Sequence, residues 1–362
     1  MTQKYLVKII KEMKITYKYA IKLIVFLFLA TTAFALKAEA AVYIVTNTNN
    51  DGAGSLREAI GAANSTSAAD TINFNILGCE NGGCTILLTG TRAALQVNGA
   101  GSLTIANRPG ASNITIAGNP TSIVFFIYSA DLTFDGITIA NGNTAQDPDP
   151  LTAGEVNIYN GTVRFLNSLI RNNTGKYGGI YNNGGTLIVT NSVIRNNNGQ
   201  DSGGLRNGTG QATLTNSIIQ DNTAVFVGGG STNLGDLTLN NSIVQGNYSQ
   251  NGGGGVSNAG NLYMTSSTIR ANRADTAGGG IQSNGNVAMQ HSSVSGNFGS
   301  PGGGIYNERD LKVSSSLIDG NQFGTSYTNF VGSGIHNGPT ATATITNTTI
   351  SNNIQPLWGG GS

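Results

Sequence analysis

The sequence of 362 residues contains little charge, little proline and almost no cysteine. Charged residues make up 10% of it, with 7 prolines and 2 cysteines. So few prolines beside 52 glycines exclude a collagen-like chain, and the steady supply of Ile, Val and Leu argues against disorder. Much glycine with spaced β-branched residues is typical of many short strands joined by tight turns.

Lysine is scarce beyond the first 40 residues. That segment contains seven of the 19 Lys and Arg and two of the 18 Asp and Glu, so residues 41–362 have a net charge of −4. Lys176 and Lys312 are the lysines that remain. Because no basic stripe is present to neutralise phosphates, we expect no nucleic acid among the partners.

The lysine-rich start precedes a short apolar run at residues 23–30, extended by residues 31–36. Ala38 and Ala40 form the A-x-A pair that signal peptidase cuts, which predicts a signal peptide over residues 1–40. An uncleaved N-terminal anchor is the alternative. The run is short for a membrane span, so we expect no transmembrane span in the mature chain and a secreted or cell-surface location, such as the bacterial outer membrane.

The two cysteines, Cys79 and Cys84, enclose the loop Cys-Glu-Asn-Gly-Gly-Cys. In an exported protein such a close pair predicts a small disulfide. A metal site needs more ligands than this loop contains, and we expect neither a metal nor a cofactor.

A repeat of about 24–25 residues dominates the second part of the sequence, residues 132–362. Each copy has a Gly-Gly pair, an alternating stretch, and then a Ser, an Ile or Val and an Asn. The serine falls at Ser168, Ser192, Ser217, Ser242, Ser267, Ser292 and Ser316, with Thr348 last. The asparagine falls at Asn173, Asn197, Asn222, Asn247, Asn272, Asn297, Asn321 and Asn353. Leucine-rich repeats have a similar period, but their consensus is dense in leucine, whereas glycine and period-2 alternation dominate here.

Period-2 alternation places one set of side chains inside and the other outside. The sequence therefore predicts an all-β fold, a right-handed parallel β-helix solenoid with three short strands per coil. The right hand follows from the general rule for parallel crossovers. Stacked asparagine amides should hydrogen-bond along the stack, and the Gly-Gly pairs should lie at turns that need φ > 0 or close backbone approach. Residues 359–362 restart the repeat, so the last coil is interpreted as incomplete, as in a fragment of a longer protein.

Residues 41–131 are predicted to form the N-terminal cap and the first coils. Ser55 and Glu58 form a capping box, and Leu56, Ala59, Ile60 and Ala63 follow helical spacing. These residues predict an amphipathic helix over residues 55–64 that covers the open strand edge of the first coil.

Residues 51–60, Asp-Gly-Ala-Gly-Ser-Leu-Arg-Glu-Ala-Ile, resemble the secreted bacterial β-helix proteins named for a C-S-L-R-E-A motif. Gly54 stands where that motif has its cysteine. The Gly-Gly-Gly-Ile and Ile-x-x-Asn repeats are similar to those of chlamydial polymorphic membrane proteins and of the pectin-lyase-like superfamily. The resemblance implies a parallel β-helix on the cell surface or secreted, with adhesins among the understood members.

Pectin-lyase-like folds include polysaccharide lyases and hydrolases, so the resemblance also implies that a catalytic site is an alternative to a binding surface. Such sites need converging carboxylates, or acids clustered for calcium beside a basic group. The polygalacturonase motifs Asn-Thr-Asp, Gly-His-Gly and Arg-Ile-Lys do not occur. The two histidines, His291 and His336, occupy different parts of the repeat. The acids of the repeats fall at different points of the coil, and we expect them not to converge: Asp201, Asp221, Asp236, Asp275, Asp310 and Asp319. No catalytic residue is assigned.

Arg171, Arg195 and Arg270 share one outward position of the repeat. They could bind an anionic sugar, but solvated surface arginines are the more ordinary interpretation.

Aromatic residues recur in the connector between each closing asparagine and the next Gly-Gly pair, at one corner of the coil. They can stack on sugar rings or anchor a protein partner, or they can fold back and cover the corner. The candidate ligand-binding residues are Tyr177, Phe226, Tyr248, Phe298, Phe323, Tyr327 and Phe330.

The leading hypothesis is a non-catalytic exported adhesin or glycan-binding protein, with host or environmental glycans or surface proteins as partners. A divergent polysaccharide lyase or hydrolase and a structural spacer of a larger surface protein are the alternatives.

Overall fold

A computed structural model describes residues 3–32, 39–79, 83–90, 94–99, 101–107, 113–119, 123–144, 156–324 and 332–354. It divides into two units, one ending at Glu39 and the other beginning at Ala40. The first unit contains helix α1 (Gln3–Thr32). Within the described residues, no helix has both the length and the apolar character needed to cross a membrane. Ala38 lies outside the described residues, so cleavage after Ala40 stays a prediction.

The second unit is a parallel β-solenoid in which the coils stack on one another and their strands form four parallel sheets. Neighbouring strands in a sheet come from successive coils, and the register pairs equivalent residues of the repeat, as in Val163 with Leu187 and Leu187 with Ala212. The parallel β-helix is therefore confirmed.

Sheet A has twelve strands. They are Val42–Val45, Asp70–Phe74, Ser102–Ala106, Ala130–Asp135, Gly161–Leu166, Thr186–Thr190, Gln211–Thr215, Asp236–Asn240, Asn261–Thr265, Asn286–Gln290, Asp310–Ser314 and Thr342–Thr346. Sheet B has eleven strands. They are Cys84–Leu87, Ile114–Ala117, Ile137–Ala140, Leu169–Arg171, Val193–Arg195, Ile218–Gln220, Ile243–Gln245, Thr268–Arg270, Ser293–Ser295, Leu317–Asp319 and Thr349–Ser351.

Sheet C has ten strands. They are Leu95–Val97, Phe125–Ile127, Val156–Ile158, Ile180–Asn182, Leu205–Asn207, Ser231–Asn233, Val256–Asn258, Ile281–Ser283, Ile305–Asn307 and Ile335–Asn337. In the described residues, sheet D has seven strands of two residues each. They are Thr174–Gly175, Asn198–Gly199, Thr223–Ala224, Tyr248–Ser249, Arg273–Ala274, Phe298–Gly299 and Gln322–Phe323. From residue 174 onward the coils have a fourth strand, in sheet D, that the sequence did not predict. A strand of two residues is too short to show the alternation of apolar and polar residues.

The core runs along the solenoid axis and consists of the inward rows of the sheets. Most of these inward residues are fully buried, for example Val163 and Leu187 in sheet A and Ile170 and Ile194 in sheet B, whereas Ile350 in the last strand of sheet B is 48% exposed. Each coil is too thin to enclose a core alone, so stacking supplies the burial.

The closing asparagines form the predicted ladder between sheets B and D. Nδ2 of Asn173 donates to Oδ1 of Asn197 over 3.0 Å, and the same bond repeats up the stack to Asn353. A second ladder, which the sequence analysis did not identify, ends the strands of sheet C, where Nδ2 of Asn182 donates to Oδ1 of Asn207 over 2.8 Å. The two ladders satisfy amides that are otherwise costly to bury.

Most of the corner residues with a positive φ angle lie outside the Gly-Gly pairs. Asn167, Asn191 and Asn216, each just before the ladder serine, have φ near +50°, a conformation that asparagine tolerates. The glycine runs also contribute, since Gly228, Gly253, Gly278 and Gly302 have φ between +61° and +68°, as predicted. The last glycine of each run is required by close approach of the next coil. A Cβ on Gly255 would lie 2.6 Å from the carbonyl oxygen of Gly280.

The N-terminal end of the core is packed against helix α2 (Leu56–Asn64). Ser55 caps it by accepting a hydrogen bond from the Glu58 N–H, and Oε2 of Glu58 accepts one from the Gly54 N–H. Asn64 Nδ2 donates to the carbonyl of Gln96 in the first strand of sheet C. The predicted amphipathic helix and its buried face, including Leu56 and Ile60, are confirmed.

A disulfide joins Cys79 to Cys84, as predicted. Cys84 is the first residue of the first strand of sheet B, Cys84–Leu87, so the disulfide ties the preceding loop to that strand.

Candidate functional site

The aromatic edge predicted from the repeat coincides with sheet D and the residues that follow it. Tyr248 and Phe298 are the outward residues of two strands of this sheet, and Arg273 occupies the strand between them. Phe226 follows another strand of sheet D and is 49% exposed. We call Phe226, Tyr248, Arg273, Asp275 and Phe298 the sheet D edge.

Charge and ring contacts connect the members of this edge. The guanidinium carbon of Arg273 lies 4.8 Å from the centre of the Phe298 ring. Nη2 of Arg273 pairs with Oδ1 of Asp275 over 3.0 Å, and the Tyr248 hydroxyl donates to the other oxygen of Asp275 over 2.6 Å. The rings and the ion pair are thus held together across three coils on the surface.

The hydrogen bond to Asp275 raises the pKa of the Tyr248 hydroxyl above its usual value, with smaller contributions from burial and from the charge of Asp275. Neutral tyrosine is therefore the stable form over the ordinary pH range. A neutral hydroxyl beside an Arg–Asp pair offers polar contacts to the hydroxyl groups of a sugar.

Two of the predicted residues are buried instead of presented at the edge. Phe323 is 2% exposed because it is the second residue of its strand, in the inward row that holds Gly299 and Ala274. Tyr177 is 8% exposed and packs on Tyr181, with the guanidinium carbon of Arg206 4.7 Å from its ring centre. For Tyr177 and Phe323 the structure shows the second alternative, in which the ring folds back and covers the corner. Tyr327 and Phe330 lie outside the described residues.

A second aromatic group, which the sequence analysis missed, lies on the outer face of sheet C. The rings of Phe126, Tyr128 and Tyr159 have centres 4.5–5.5 Å apart. Phe126 is buried with Ala94 and Ile123, whereas Tyr128 is 43% exposed. Phe126 and Tyr128 precede the regular repeats, so the periodicity carries no signal for this group.

A shallow groove of about 310 Å³ lies on the outer face of sheet A. Ala288 occupies its floor between Tyr263 and Lys312 of the adjacent strands. The short alanine side chain between two long ones creates this groove.

Carboxylates in the described part of the chain are dispersed, and no group of three His, Cys, Asp or Glu there could hold a metal ion. One expectation needs correction: Asp236 and Asp310 share a row of sheet A. They remain apart because Asn261 and Asn286 stand between them. Asp236 binds Asn261 Nδ2 over 2.8 Å, and Asp310 accepts a bond from Thr342 over 2.6 Å.

No family model, no curated protein and no solved structure matches the chain. The resemblance of residues 51–60 to exported β-helix proteins therefore stays an expectation.

Proposed function

We propose that the protein is an exported, non-catalytic β-helix that binds glycans through the sheet D edge, as an adhesin does. The observation that carries the proposal is the stack of Tyr248, Arg273 and Phe298 on adjacent coils, with the exposed Phe226 beside it. Exposed rings next to fixed polar groups match the two faces of a sugar, one apolar and one rich in hydroxyls.

The start of the chain supports the export part of this proposal. Its lysine-rich apolar leader and A-x-A pair have the features of a signal peptide. The Ser-Leu-Arg-Glu-Ala segment, which resembles that of secreted β-helix proteins of the pectin-lyase-like superfamily, forms the cap of the solenoid. The motif therefore has a structural role, and the ligand-binding role is assigned to the outward residues of the repeats.

The test is retention of the purified protein on a panel of immobilised neutral and acidic polysaccharides, with and without calcium, while the length of the soluble polysaccharide is recorded. Phe226→Ala and Tyr248→Ala should each reduce retention on the bound glycan by about tenfold, as expected for a lost anchoring ring. Tyr263→Ala is the matched control, because Tyr263 is 45% exposed on sheet A.

Each outcome favours one interpretation. Loss of retention with Tyr263→Ala but not with Phe226→Ala would place the binding site in the sheet A groove and refute binding at the sheet D edge. Shortened polysaccharide would show a lyase or hydrolase. Intact polysaccharide without retention on any glycan would favour a structural spacer or a protein partner.

A further inference from the structure

The outer face of sheet B has two rows of side chains that run parallel to the solenoid axis. One row is apolar, with Leu169, Val193, Ile218 and Ile243 on successive strands. The other row, two residues further along each strand, is made of donors and amides. In order it contains Arg171, Arg195, Gln220, Gln245 and Arg270. We call this second row the sheet B donor row.

The C-terminal part of the donor row is linked by hydrogen bonds that all run in one direction. Nε of Arg270 donates to Oε1 of Gln245 over 2.9 Å, and Nε2 of Gln245 donates to Oε1 of Gln220 over 3.0 Å. These bonds turn the oxygen of Gln220 toward Gln245. The NH₂ group of Gln220 therefore remains as a donor on the side of Arg195, which pairs with Gln220 in register.

The N-terminal part of the row, Arg171 and Arg195, consists of donors for which the described residues supply no acceptor. Nε of Arg195 is buried and has no hydrogen-bond partner among the described residues. The described residues form two ion pairs, which involve Arg164 and Arg273. Neither Arg171 nor Arg195 belongs to an ion pair in the described residues. The terminal guanidinium nitrogens of the partly exposed Arg195 have no partner among the described residues either, so they are the donors that an acceptor from outside the chain can reach.

Nearby carboxylates do not fill this role. Asp221 follows Gln220, but its Oδ1 lies over Gly246 of the next coil, 2.5 Å from where a Cβ on that glycine would stand. Asp319, further along the row, accepts hydrogen bonds from Ser351 and Asn352. The carboxylates that belong to this face are therefore directed away from Arg171 and Arg195.

We propose that Arg171, Arg195 and Gln220 bind the carboxylate or sulfate groups of an acidic polysaccharide that lies along sheet B. Adjacent coils are about 4.8 Å apart, so the two guanidinium groups can contact one acidic group or two successive ones. Guanidinium groups form bidentate hydrogen bonds with such anions. The apolar row beside them provides contact for the carbon-bound faces of the sugars.

This inference rests on the proposed glycan-binding function and names an acidic ligand at a separate face. An acidic glycan is favoured over a nucleic acid because residues 41–362 have a net charge of −4 and the donor patch is small, whereas nucleic-acid binding needs an extended basic surface.

The experiment uses protein purified from expression of the full chain and measures its binding to alginate, dextran sulfate and neutral dextran. Alginate presents carboxylates and dextran sulfate presents sulfates, so the two arms identify the preferred anion. Arg195→Gln should weaken binding to the preferred polyanion by about tenfold or more, the usual effect of a lost charge-assisted hydrogen bond. Arg195→Lys should be intermediate, because lysine keeps the charge but loses the bidentate contact.

Arg309→Gln is the matched control, because it removes the same charge from an exposed position at the start of a sheet A strand. Equal weakening by Arg195→Gln and Arg309→Gln would overturn the proposal in favour of unspecific charge attraction. Absence of binding to both polyanions would also overturn it. An unchanged circular dichroism spectrum and melting temperature show that a variant is folded. The result also separates this proposal from the proposed function of the sheet D edge. If only the sheet D edge is wrong, Phe226→Ala and Tyr248→Ala leave all glycan retention unchanged, while Arg195→Gln still weakens polyanion binding.

Discussion

Replacement of Asn247 by alanine tests whether the asparagine ladder stabilises the solenoid. Asn247 is 1% exposed and lies in the middle of the ladder. Its Oδ1 accepts from the backbone and side-chain amides of Asn222, and its Nδ2 donates to Oδ1 of Asn272 and to the carbonyl of Ile219. These four bonds join three coils.

The cost follows from the groups that lose their partner. In Asn247→Ala, the Asn222 side chain keeps its bond to the Ile194 carbonyl, and Oδ1 of Asn272 keeps the bond from the backbone N–H of residue 247. The backbone N–H of Asn222 loses its acceptor inside the core, whereas the carbonyl of Ile219 loses one bond but stays in the paired strands of sheet B. A buried N–H left unpaired costs about 1–3 kcal/mol, so unfolding should become easier by at least that amount.

The measurement is urea denaturation followed by circular dichroism, with amide hydrogen exchange to locate the loss. Gln250→Ala is the control, because it removes an exposed amide from the same coil and should change the free energy of unfolding by less than about 0.5 kcal/mol. A variant Asn247→Ala within 1 kcal/mol of the wild type would refute the argument that the ladder amides satisfy each other.

Three further predictions concern single positions. Ser283 interrupts the second ladder, where it accepts from Asn258, and Ser283→Asn should raise stability by about 1 kcal/mol in the same urea assay. Gly255→Ala should destabilise by at least about 1–3 kcal/mol because its Cβ would meet a carbonyl of the next coil, whereas Gly61→Ala, in helix α2 with open space around it, should stabilise by about 0.5–1 kcal/mol. Tyr248 should titrate above the usual tyrosine pKa in ultraviolet difference spectra against Tyr248→Phe, and Asp275→Asn should lower that pKa. Since the pKa is raised in the folded state, the stability linked to Tyr248 is present below about pH 10 and falls as the pH rises through the folded pKa.

The fold could be predicted because stacked coils impose one register on every copy of the repeat. The number of residues between the serines of successive repeats, such as Ser168 and Ser192, equals the length of one coil, and the inward rows repeat with the same period. The capping box at Ser55 was visible for a similar reason, since both of its partners lie within one turn of helix. Local and periodic signals of this kind survive in a single sequence.

The candidate site was predicted only in part, because side-chain direction within a two-residue strand cannot be read from alternation. Phe226, Tyr248 and Phe298 were placed at the correct corner, but Phe323 is inward by one position in its strand. Arg273 and Asp275 were missed as partners of the aromatic rings. Their contacts run between strands that are 25 residues apart in sequence, and no residue motif records such a contact.

The inward rows and the ladders together fix the solenoid, and this leaves the outward rows free to differ from coil to coil. An outward row places side chains from successive coils side by side, so a contact that looks remote in sequence is a nearest-neighbour contact in space. The Arg270–Gln245–Gln220 chain on sheet B and the Tyr248–Arg273–Phe298 stack on sheet D both arise in this way. In this protein, therefore, ligand-binding residues should be sought along rows across coils, where acceptor-free donors such as Arg195 mark a place that the fold alone does not satisfy.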